Sequence, residues 1–412
     1  MTRKSWRPRG RAWIGVTYFF MAFAPGLWYP ALPNILAAQG LESSVTWALF
    51  WISGFTILSP LLLGAWADQK VRADRLLGVL SLSGACFLFL AFHGLHAGWG
   101  AFPFLACLAA NALISGPMWS LLSSIALSHG QTPERSFPFF RIWGTMGWLS
   151  GGIFTSFVLE ADANSTGGMT AAGVRCVVGL ACLGFLPATL PKGGAARNWK
   201  ERLGLGALMR LSSRDERVFL ATSFLLSIGL TAYMMHVPRH LEALGARHIT
   251  AMMTVGQIIE IPAILCLGLL TERYRFKWIL AVAMAAAVVR YLFFASGEVH
   301  LSVALMLGGI FLHGICYTLF FITGQLFIER RGTPGTRSQG QALYGLLSGG
   351  LGVMAGAPIS GVLYQHVVLD GHGGWPWFWN LHAAFCLAVF LFFWFGYQGQ
   401  KRTVEMEPDE SE

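Results

Sequence analysis

Long apolar segments run through this chain from one end to the other. A helix that crosses a bilayer needs about 20 apolar residues, and about twelve segments approach or exceed that length. They lie at 12–36, 45–66, 76–97, 101–128, 139–159, 172–190, 218–240, 248–270, 277–296, 301–328, 339–366 and 376–398. Only 12% of the residues are charged, about half of the roughly 25% that is typical of soluble proteins. The sequence therefore predicts an all-α integral membrane protein with about twelve transmembrane helices.

The basic residues are distributed unevenly between the two sides that alternating spans define. Most of the 29 Lys and Arg residues fall in the N-terminal tail, the C-terminal tail and every second loop. The positive-inside rule assigns those segments to the cytoplasm, so both termini are predicted to be cytoplasmic and the protein to lie in the cell inner membrane. Arg239, Arg247 and Arg175 are predicted to fall on the opposite side. The net charge of +9 thus indicates a lipid bilayer as partner and not a nucleic acid.

Few residues suggest enzymatic chemistry or a resident cofactor. The seven cysteines are scattered within the spans, and no pair has the spacing of metal ligands. No cluster of His, Asp or Cys occurs at one membrane face with catalytic spacing. We therefore predict no enzyme activity, no metal and no cofactor, and we expect a monomer.

Two halves of the chain echo each other. The polar stretch 191–217 separates an N-terminal part, 1–190, from a C-terminal part, 218–412, and each part carries six predicted spans. Gly147-Trp-Leu-Ser-Gly-Gly152 in the fifth span recurs as Gly345-Leu-Leu-Ser-Gly-Gly350 in the eleventh. A second echo closes spans 2 and 8, with Gly64 and Asp68 matching Gly268 and Glu272. These echoes predict two pseudo-symmetric six-helix bundles joined by a cytoplasmic linker.

The segment with Gly64, Asp68, Lys70 and Arg72 resembles the loop signature of the major facilitator superfamily, although Gln69 stands where a basic residue is usual. The resemblance implies a major facilitator fold with a central cavity that opens alternately to the two sides. It also implies that Gly64, Asp68, Arg72, Gly268 and Glu272 form loop motifs involved in the conformational change.

Glu260 lies near the middle of the eighth span, where a carboxylate costs roughly 2.5–3.5 kcal/mol on insertion scales. Gln257 is three residues earlier and shares its helix face, and Pro262 follows. In the ninth span, Arg290 is the only charged residue between Lys277 and Glu298, and it is a candidate partner for Glu260. Two interpretations remain open, since Glu260 can serve proton coupling or form a structural ion pair with Arg290.

Further polar side chains inside spans mark candidate cavity walls. Arg141, Thr145 and Trp148 share one face of the fifth span, where a guanidinium, a hydroxyl and an indole suit a polar planar ligand. The alternative is that Arg141 extends to the lipid headgroups. Aligning the echoed segments sets Gln339 opposite Arg141, so the scaffold does not require an arginine there. Asn111 and Asn34 are further amides within the spans.

The tenth and seventh spans add candidates by the same spacing. His313, Tyr317 and Phe320 or Phe321 follow three-to-four spacing in the tenth span. His313 is a candidate for a proton relay, or else a hydrogen-bonded packing histidine. Tyr233, near the outer end of the seventh span, is a candidate gate or cavity wall.

Several segments, in the same order, resemble the nucleoside:proton symporter family within that superfamily. They are Phe140-Arg-Ile-Trp-Gly-Thr-Met-Gly147, Thr254-Val-Gly-Gln-Ile-Ile-Glu-Ile-Pro262, Val289-Arg-Tyr291 and Leu312-His-Gly-Ile-Cys-Tyr317. The resemblance implies substrate binding by Arg141, Thr145, Trp148, Gln257 and Tyr317, and proton coupling by Glu260. Thr318 stands where the family usually has an aspartate, and the family's Gln/Asn pair is not evident around Tyr233.

The sequence thus predicts a secondary active transporter that takes up nucleosides by proton-coupled alternating access. Arg141, Thr145 and Gln257 would hydrogen-bond the solute, with Trp148, Tyr317, Phe321 and Tyr233 as aromatic walls. Glu260 would bind the coupling proton, assisted by Arg290 and His313. The alternatives are a sugar or oligosaccharide:proton symporter, since the lactose permease group has a similar arginine and aromatic arrangement, and an exporter of drugs or metabolites.

Overall fold

The structure is a computed structural model, and it describes residues 8–69, 71–129, 133–190, 199–208, 213–299, 303–331 and 337–399. Within these ranges the chain is helical and contains no strand. The N-terminal part forms eight helices, of which α2 is a short helix between two long ones. Their bounds are α1 Pro8–Gly26, α2 Leu32–Ala38, α3 Ser44–Gln69, α4 Ala73–His96, α5 Ala101–Ser115, α6 Met118–Ser128, α7 Pro133–Phe157 and α8 Thr166–Phe185.

The C-terminal part follows two one-turn helices, α9 Trp199–Arg202 and α10 Leu205–Leu208. Its helices are α11 Arg214–Ala243, α12 Ile249–Met253, α13 Val255–Arg273, α14 Phe276–Val299, α15 Val303–Cys316, α16 Thr323–Arg331, α17 Arg337–Gly345, α18 Val353–Tyr364 and α19 Gly374–Gly396. Three π-helical stretches continue these helices, at Tyr317–Ile322, Leu346–Gly352 and Gln365–Leu369. Because π-turns within α-helices often occur at functional sites, the first two draw attention to the tenth and eleventh predicted spans.

Nine helical segments of the described residues are long and apolar enough to cross a membrane. They coincide with nine of the predicted spans, which confirms a multi-pass membrane protein. The other three predicted spans fall on α1, α3 and α7, which are not among those nine. Large apolar side chains such as Phe102 and Phe395 point outward, as expected where lipid surrounds the protein.

Among the described residues, the buried apolar side chains form three clusters. One runs from Phe219 to Tyr397 and is built from the C-terminal part. The other two lie mainly in the N-terminal part, although Met235 and Ala357 contribute to one of them. The division at 190 and 218 remains a prediction.

Glycine residues of the fifth predicted span pack directly against the first predicted span. A Cβ atom added at Gly147 would lie 2.0 Å from the backbone oxygen of Phe19, and one at Gly151 would lie 2.5 Å from that of Phe23. Small residues let helix backbones approach closely in membranes. Helices α1 and α7 are therefore in backbone contact, which fixes the height and rotation of the α7 face that carries Arg141.

Polar contacts join the two parts of the chain at one end of the helices. Arg239 of α11 pairs with Glu42 at 2.9 Å, and the hydroxyl of Tyr364 donates to Glu42 at 3.0 Å. In a second contact, Asp162 accepts a hydrogen bond from the backbone N–H of Thr250 at 2.8 Å. These contacts therefore hold the two parts of the chain together at this end.

Arg175 was predicted on the outer side, and the structure shows that prediction to be wrong. Arg175 lies near the middle of α8, is 9% exposed, and donates a hydrogen bond to the side-chain oxygen of Asn111. The predicted sixth span began at residue 172, whereas helix α8 begins at Thr166. The prediction therefore set Arg175 near the end of the span instead of near its middle. The amide of Asn111 stabilises this arginine inside the helices.

Candidate functional site

A cavity of about 440 Å³ lies between the two parts of the chain. Helix α7 supplies Arg141, Thr145 and Trp148, the three residues that the spacing placed on one face. Helix α13 supplies Gln257 and Glu260. The remaining wall residues are Ala22, Trp119, Gly144, Met234, His313 and Tyr317. The structure therefore brings seven of the ten predicted solute-binding and proton-coupling residues to one cavity.

Arg141 reaches across this cavity to the other part of the chain. Its guanidinium donates a hydrogen bond to the hydroxyl of Tyr317 at 2.9 Å. The side chain therefore points toward the protein interior, and the alternative of a headgroup contact does not describe this arrangement. Because Arg141 and Tyr317 belong to different parts of the chain, their contact must change if the parts move relative to each other.

Glu260 makes the second contact across the cavity. It is 6% exposed, and the hydroxyl of Thr145 donates to one of its carboxyl oxygens at 3.0 Å. Gln257 lies one turn earlier on α13, and its side-chain oxygen has no hydrogen-bond partner among the described residues. Glu260 and Gln257 thus line the cavity together with Arg141, and the unpartnered oxygen of Gln257 is itself buried.

The sequence suggested an ion pair between Arg290 and Glu260, but in the structure Arg290 has other partners. Its guanidinium donates instead to the imidazole Nδ1 of His313 at 3.1 Å and to the hydroxyl of Tyr291 at 3.2 Å. It also lies over the rings of Tyr233 and Tyr291, at 4.9 and 4.8 Å from their centroids. Sequence spacing could not choose between Glu260 and His313 as partners because both are polar residues on neighbouring helices, whereas Tyr291 follows Arg290 directly on α14.

The hydrogen bond from Arg290 determines which ring nitrogen of His313 carries the proton. A guanidinium can only donate, so Nδ1 of His313 accepts and the proton of the neutral ring lies on Nε2. Protonating Nδ1 would break this bond and set two cations side by side. The geometry therefore favours a hydrogen-bonded histidine over a proton relay, although the role of His313 itself stays a prediction.

Two predicted aromatic residues lie outside the central cavity. Tyr233 is 2% exposed, and its ring stacks on that of His313 at a centroid distance of 4.3 Å. His313 is among the described residues that line the cavity and Tyr233 is not, so Tyr233 lies behind His313. Phe321 lines a neighbouring cavity of about 380 Å³. Tyr317 and Met234 line both cavities, so Phe321 belongs to the extension of the site and Tyr233 supports it from behind.

Thr318 occupies the position where the resemblance led us to expect an aspartate. It lies in the π-helical stretch Tyr317–Ile322 and is fully buried. Its hydroxyl has no hydrogen-bond partner among the described residues. Glu260 is consequently the only acidic residue among those described that line the central cavity.

The structure also adds wall residues that the sequence did not single out. Trp119 follows Pro117 at the start of α6, and its ring lies 6.0 Å from that of Tyr18. Met234 sits beside Tyr233 on α11. An indole or a thioether within an apolar span resembles ordinary packing, so no local signal distinguished these two residues.

The predicted loop motifs are only partly described. Gly64 and Asp68 belong to α3, but the structure describes only the backbone at these two positions. Arg72 bonds to Asp74 at 2.7 Å, and this hydrogen bond raises the pKa of the Arg72 guanidinium. Gly268 has open space around it and Glu272 is exposed. Their role in the conformational change stays a prediction.

Comparison with known proteins identifies the chain's relatives. YegT, a candidate nucleoside transporter of Escherichia coli (strain K12), is 30% identical over 386 residues, which is 90% of each chain. Xanthosine permease of the same organism is 23% identical over 406 residues, 93% of this chain and 95% of that one. The crystal structure of the nucleoside transporter NupG superposes with a TM-score of 0.81 at 20% identity, over 95% of this chain and 99% of that one.

The likeness to NupG shows the fold, and the match to a family model shows the family. The model for nucleoside H+ symporters matches residues 13–402, which include every cavity residue named above. The chain therefore belongs to the nucleoside H+ symporter family.

Proposed function

We propose that this protein takes up nucleosides together with protons and that the central cavity is its solute site. Membership of the family makes the chain a transporter and not an enzyme. The observation that carries the assignment of the site is the pair of contacts across the cavity, Arg141 to Tyr317 and Thr145 to Glu260. Each contact joins a residue of one part of the chain to a residue of the other.

The chemistry of the wall suits a nucleoside. The Arg141 guanidinium can donate hydrogen bonds to a solute, and the side-chain oxygen of Gln257, which has no partner among the described residues, can accept one from it. Ring nitrogens, a carbonyl and sugar hydroxyls offer the complementary groups. The indoles of Trp119 and Trp148 provide flat apolar surfaces on which a base can stack. A mostly apolar pocket with a few convergent polar groups is the usual form of a small-molecule site.

Glu260 is the group we assign to proton coupling. A buried carboxyl group is stabilised in its neutral form by low polarity and in its charged form by donors such as Thr145. Thr145 lies on the opposite side of the cavity, so rocking of the two parts changes the donors that Glu260 meets. Proton and nucleoside then favour the same conformational change, which couples their binding. The proton is the only coupling ion that we propose.

The proposal includes an arrangement of the whole chain in the membrane. Two six-helix bundles, 1–190 and 218–412, would rock about the cavity as a monomer, joined by the linker 191–217. The nine apolar spans and the helices α1, α3 and α7 would together give twelve spans. The basic loops support a bacterial inner-membrane orientation with both termini in the cytoplasm.

Glu260→Gln separates coupling from binding. In proteoliposomes, accumulation driven by a proton gradient should be lost, whereas counterflow of nucleoside should persist because exchange needs no net proton movement. Glu329→Gln is the matched control, since Glu329 is 48% exposed and pairs with the exposed Arg337. Equal loss of accumulation and counterflow would contradict a coupling role for Glu260.

A binding screen tests the solute class. Ligands that bind only the folded state raise its stability by mass action, so nucleosides should raise the melting temperature of the purified protein. Free bases and disaccharides serve as comparison compounds. Stabilisation by disaccharides without any by nucleosides would favour the sugar symporter alternative.

A further inference from the structure

A second cavity, of about 240 Å³, lies within the N-terminal part of the chain. The side chains that give it chemical character are Arg175, Asn111, Ser115, Trp28, Tyr29 and Trp119. Trp119 also lines the central cavity, so this residue borders both spaces. The proposed solute site uses neither Arg175 nor Asn111.

Arg175 brings a positive charge into this cavity without a matching negative charge. Its side chain donates to the oxygen of Asn111 and lies 3.2 Å from the sulfur of Met118, and both partners are neutral. No carboxylate lines the cavity among the described residues. Burying a cation without a counter-charge is strongly unfavourable, so an arginine that is 9% exposed calls for an anion nearby.

The neighbouring groups are oriented to donate. The side-chain oxygen of Asn111 already accepts from Arg175 and from the Ser115 hydroxyl, the latter at 3.2 Å. Its amide N–H groups remain as donors. The hydroxyl of Ser81 is occupied because it donates to the backbone carbonyl of Arg175 at 2.9 Å. The polar groups therefore provide donors and a positive charge, which is the chemistry that binds an anion.

We propose that this cavity is a binding site for a small monovalent anion, held by Arg175 and Asn111. One negative charge balances the one guanidinium. The shared wall at Trp119 means that an anion here adjoins the solute cavity. Chloride is the simplest ion of this class, and a free carboxylate offers the same charge.

The test measures anion binding directly and does not depend on transport. The purified protein is titrated with chloride against gluconate at constant ionic strength, and its melting temperature is recorded. A site gives a saturable rise with chloride relative to gluconate, a carboxylate whose bulky polyol chain makes it the reference for general salt effects. Acetate in a parallel titration distinguishes a carboxylate site from a halide site. No saturable rise with chloride or with acetate would overturn the proposal.

Two variants assign the effect to Arg175. Arg175→Gln should weaken the apparent anion affinity roughly ten- to hundredfold, the loss expected when one charge-assisted hydrogen bond is removed. The exposed Arg247 provides the control, and Arg247→Gln should leave the titration unchanged. An Arg175→Gln protein that responds to the anion as the wild type does would also overturn the proposal.

Gly84→Ala keeps the charge and moves it, and it serves if Arg175→Gln does not fold. A Cβ atom at Gly84 would lie 2.2 Å from a terminal nitrogen of Arg175, so the guanidinium must shift. The anion affinity should then fall although the arginine remains. An unchanged affinity would show that the guanidinium position does not matter and would contradict the site.

Discussion

The two echoed glycine segments share a sequence pattern but have different surroundings. In the first, Gly147 and Gly151 lie against the backbone of α1. In the second, a Cβ atom added at Gly345 or Gly349 would meet no described atom within 4 Å outside its own stretch of helix, and both glycines line the cavity of about 380 Å³ instead. The first segment is α-helical, whereas Leu346–Gly352 is π-helical. The same small residues therefore allow close packing in one half and leave open space in the other.

The last glycine of each segment behaves alike in both. A Cβ atom at Gly152 would lie 2.3 Å from the methyl group of Thr254, and one at Gly350 would lie 2.7 Å from the side chain of Ile57. Each contact joins one part of the chain to the other. The echoed segments therefore share the contact between the halves, while the other positions differ, with close packing in one segment and a cavity beside the other.

The largest difference is expected between Gly147→Ala and Gly345→Ala. At Gly147 the new methyl group meets a backbone oxygen that has little room to move, and overpacking of this kind costs up to about 3 kcal/mol. At Gly345 the methyl group meets open space and alanine favours the helix by about 1 kcal/mol. Melting temperatures of the two variants should therefore move in opposite directions. Equal shifts would show that the two segments do not differ as described.

Arg141→Gln makes the fifth span match the eleventh, where Gln339 is the equivalent residue. The side chain of Gln339 lies near Gly206 of the linker and not in the central cavity. Losing a charged donor costs roughly 1.5–3 kcal/mol, so nucleoside affinity should fall about ten- to hundredfold. Equilibrium binding of a radiolabelled nucleoside measures this. Gln339→Ala should retain affinity, and retention by Arg141→Gln would remove the arginine from the site.

Gly152→Ala should loosen the contact between the halves at α12. The added methyl group meets Thr254 and the backbone oxygen of Thr250, at a cost of about 1–2 kcal/mol. Hydrogen exchange of the amides in Ile249–Met253 should accelerate roughly five- to thirtyfold. Gly350→Ala should instead accelerate exchange in α3 near Ile57. Identical exchange maps for the two variants would argue against separate contacts.

The smallest expected effect is that of Trp148→Leu, which copies Leu346 into the first segment. It removes the indole on which we propose that a base stacks, together with the edge-to-face contact between Trp148 and Tyr29, whose rings lie 6.1 Å apart. Aromatic pairs contribute about 0.5–1.5 kcal/mol beyond their buried area, so nucleoside affinity should fall roughly two- to tenfold. Leu346→Ala is the matched variant and should leave affinity unaltered, because Leu346 does not line the central cavity. An equal loss in both variants would point to a general packing effect.

The sequence predicted the residues of each helix face well. Three-to-four spacing grouped Arg141, Thr145 and Trp148, and it grouped Gln257 with Glu260, and the structure sets both groups in one cavity wall. Local spacing suffices here because an α-helix has a fixed period. The same spacing did not predict which residue of α11 lines the cavity. Tyr233 was the candidate, but its immediate neighbour Met234 lines the cavity instead.

Hydropathy and helical periodicity were enough to predict a helical membrane protein, and the sequence motifs predicted the nucleoside symporter family. The pairing of the polar groups became visible only in the folded chain: Arg141 with Tyr317, Thr145 with Glu260, Arg290 with His313 and Arg175 with Asn111. Each pair joins separate helices, so no periodicity within one helix can select it. The choice depends on how closely the helix backbones approach, and contacts such as that between Gly147 and Phe19 set that distance only in the folded protein.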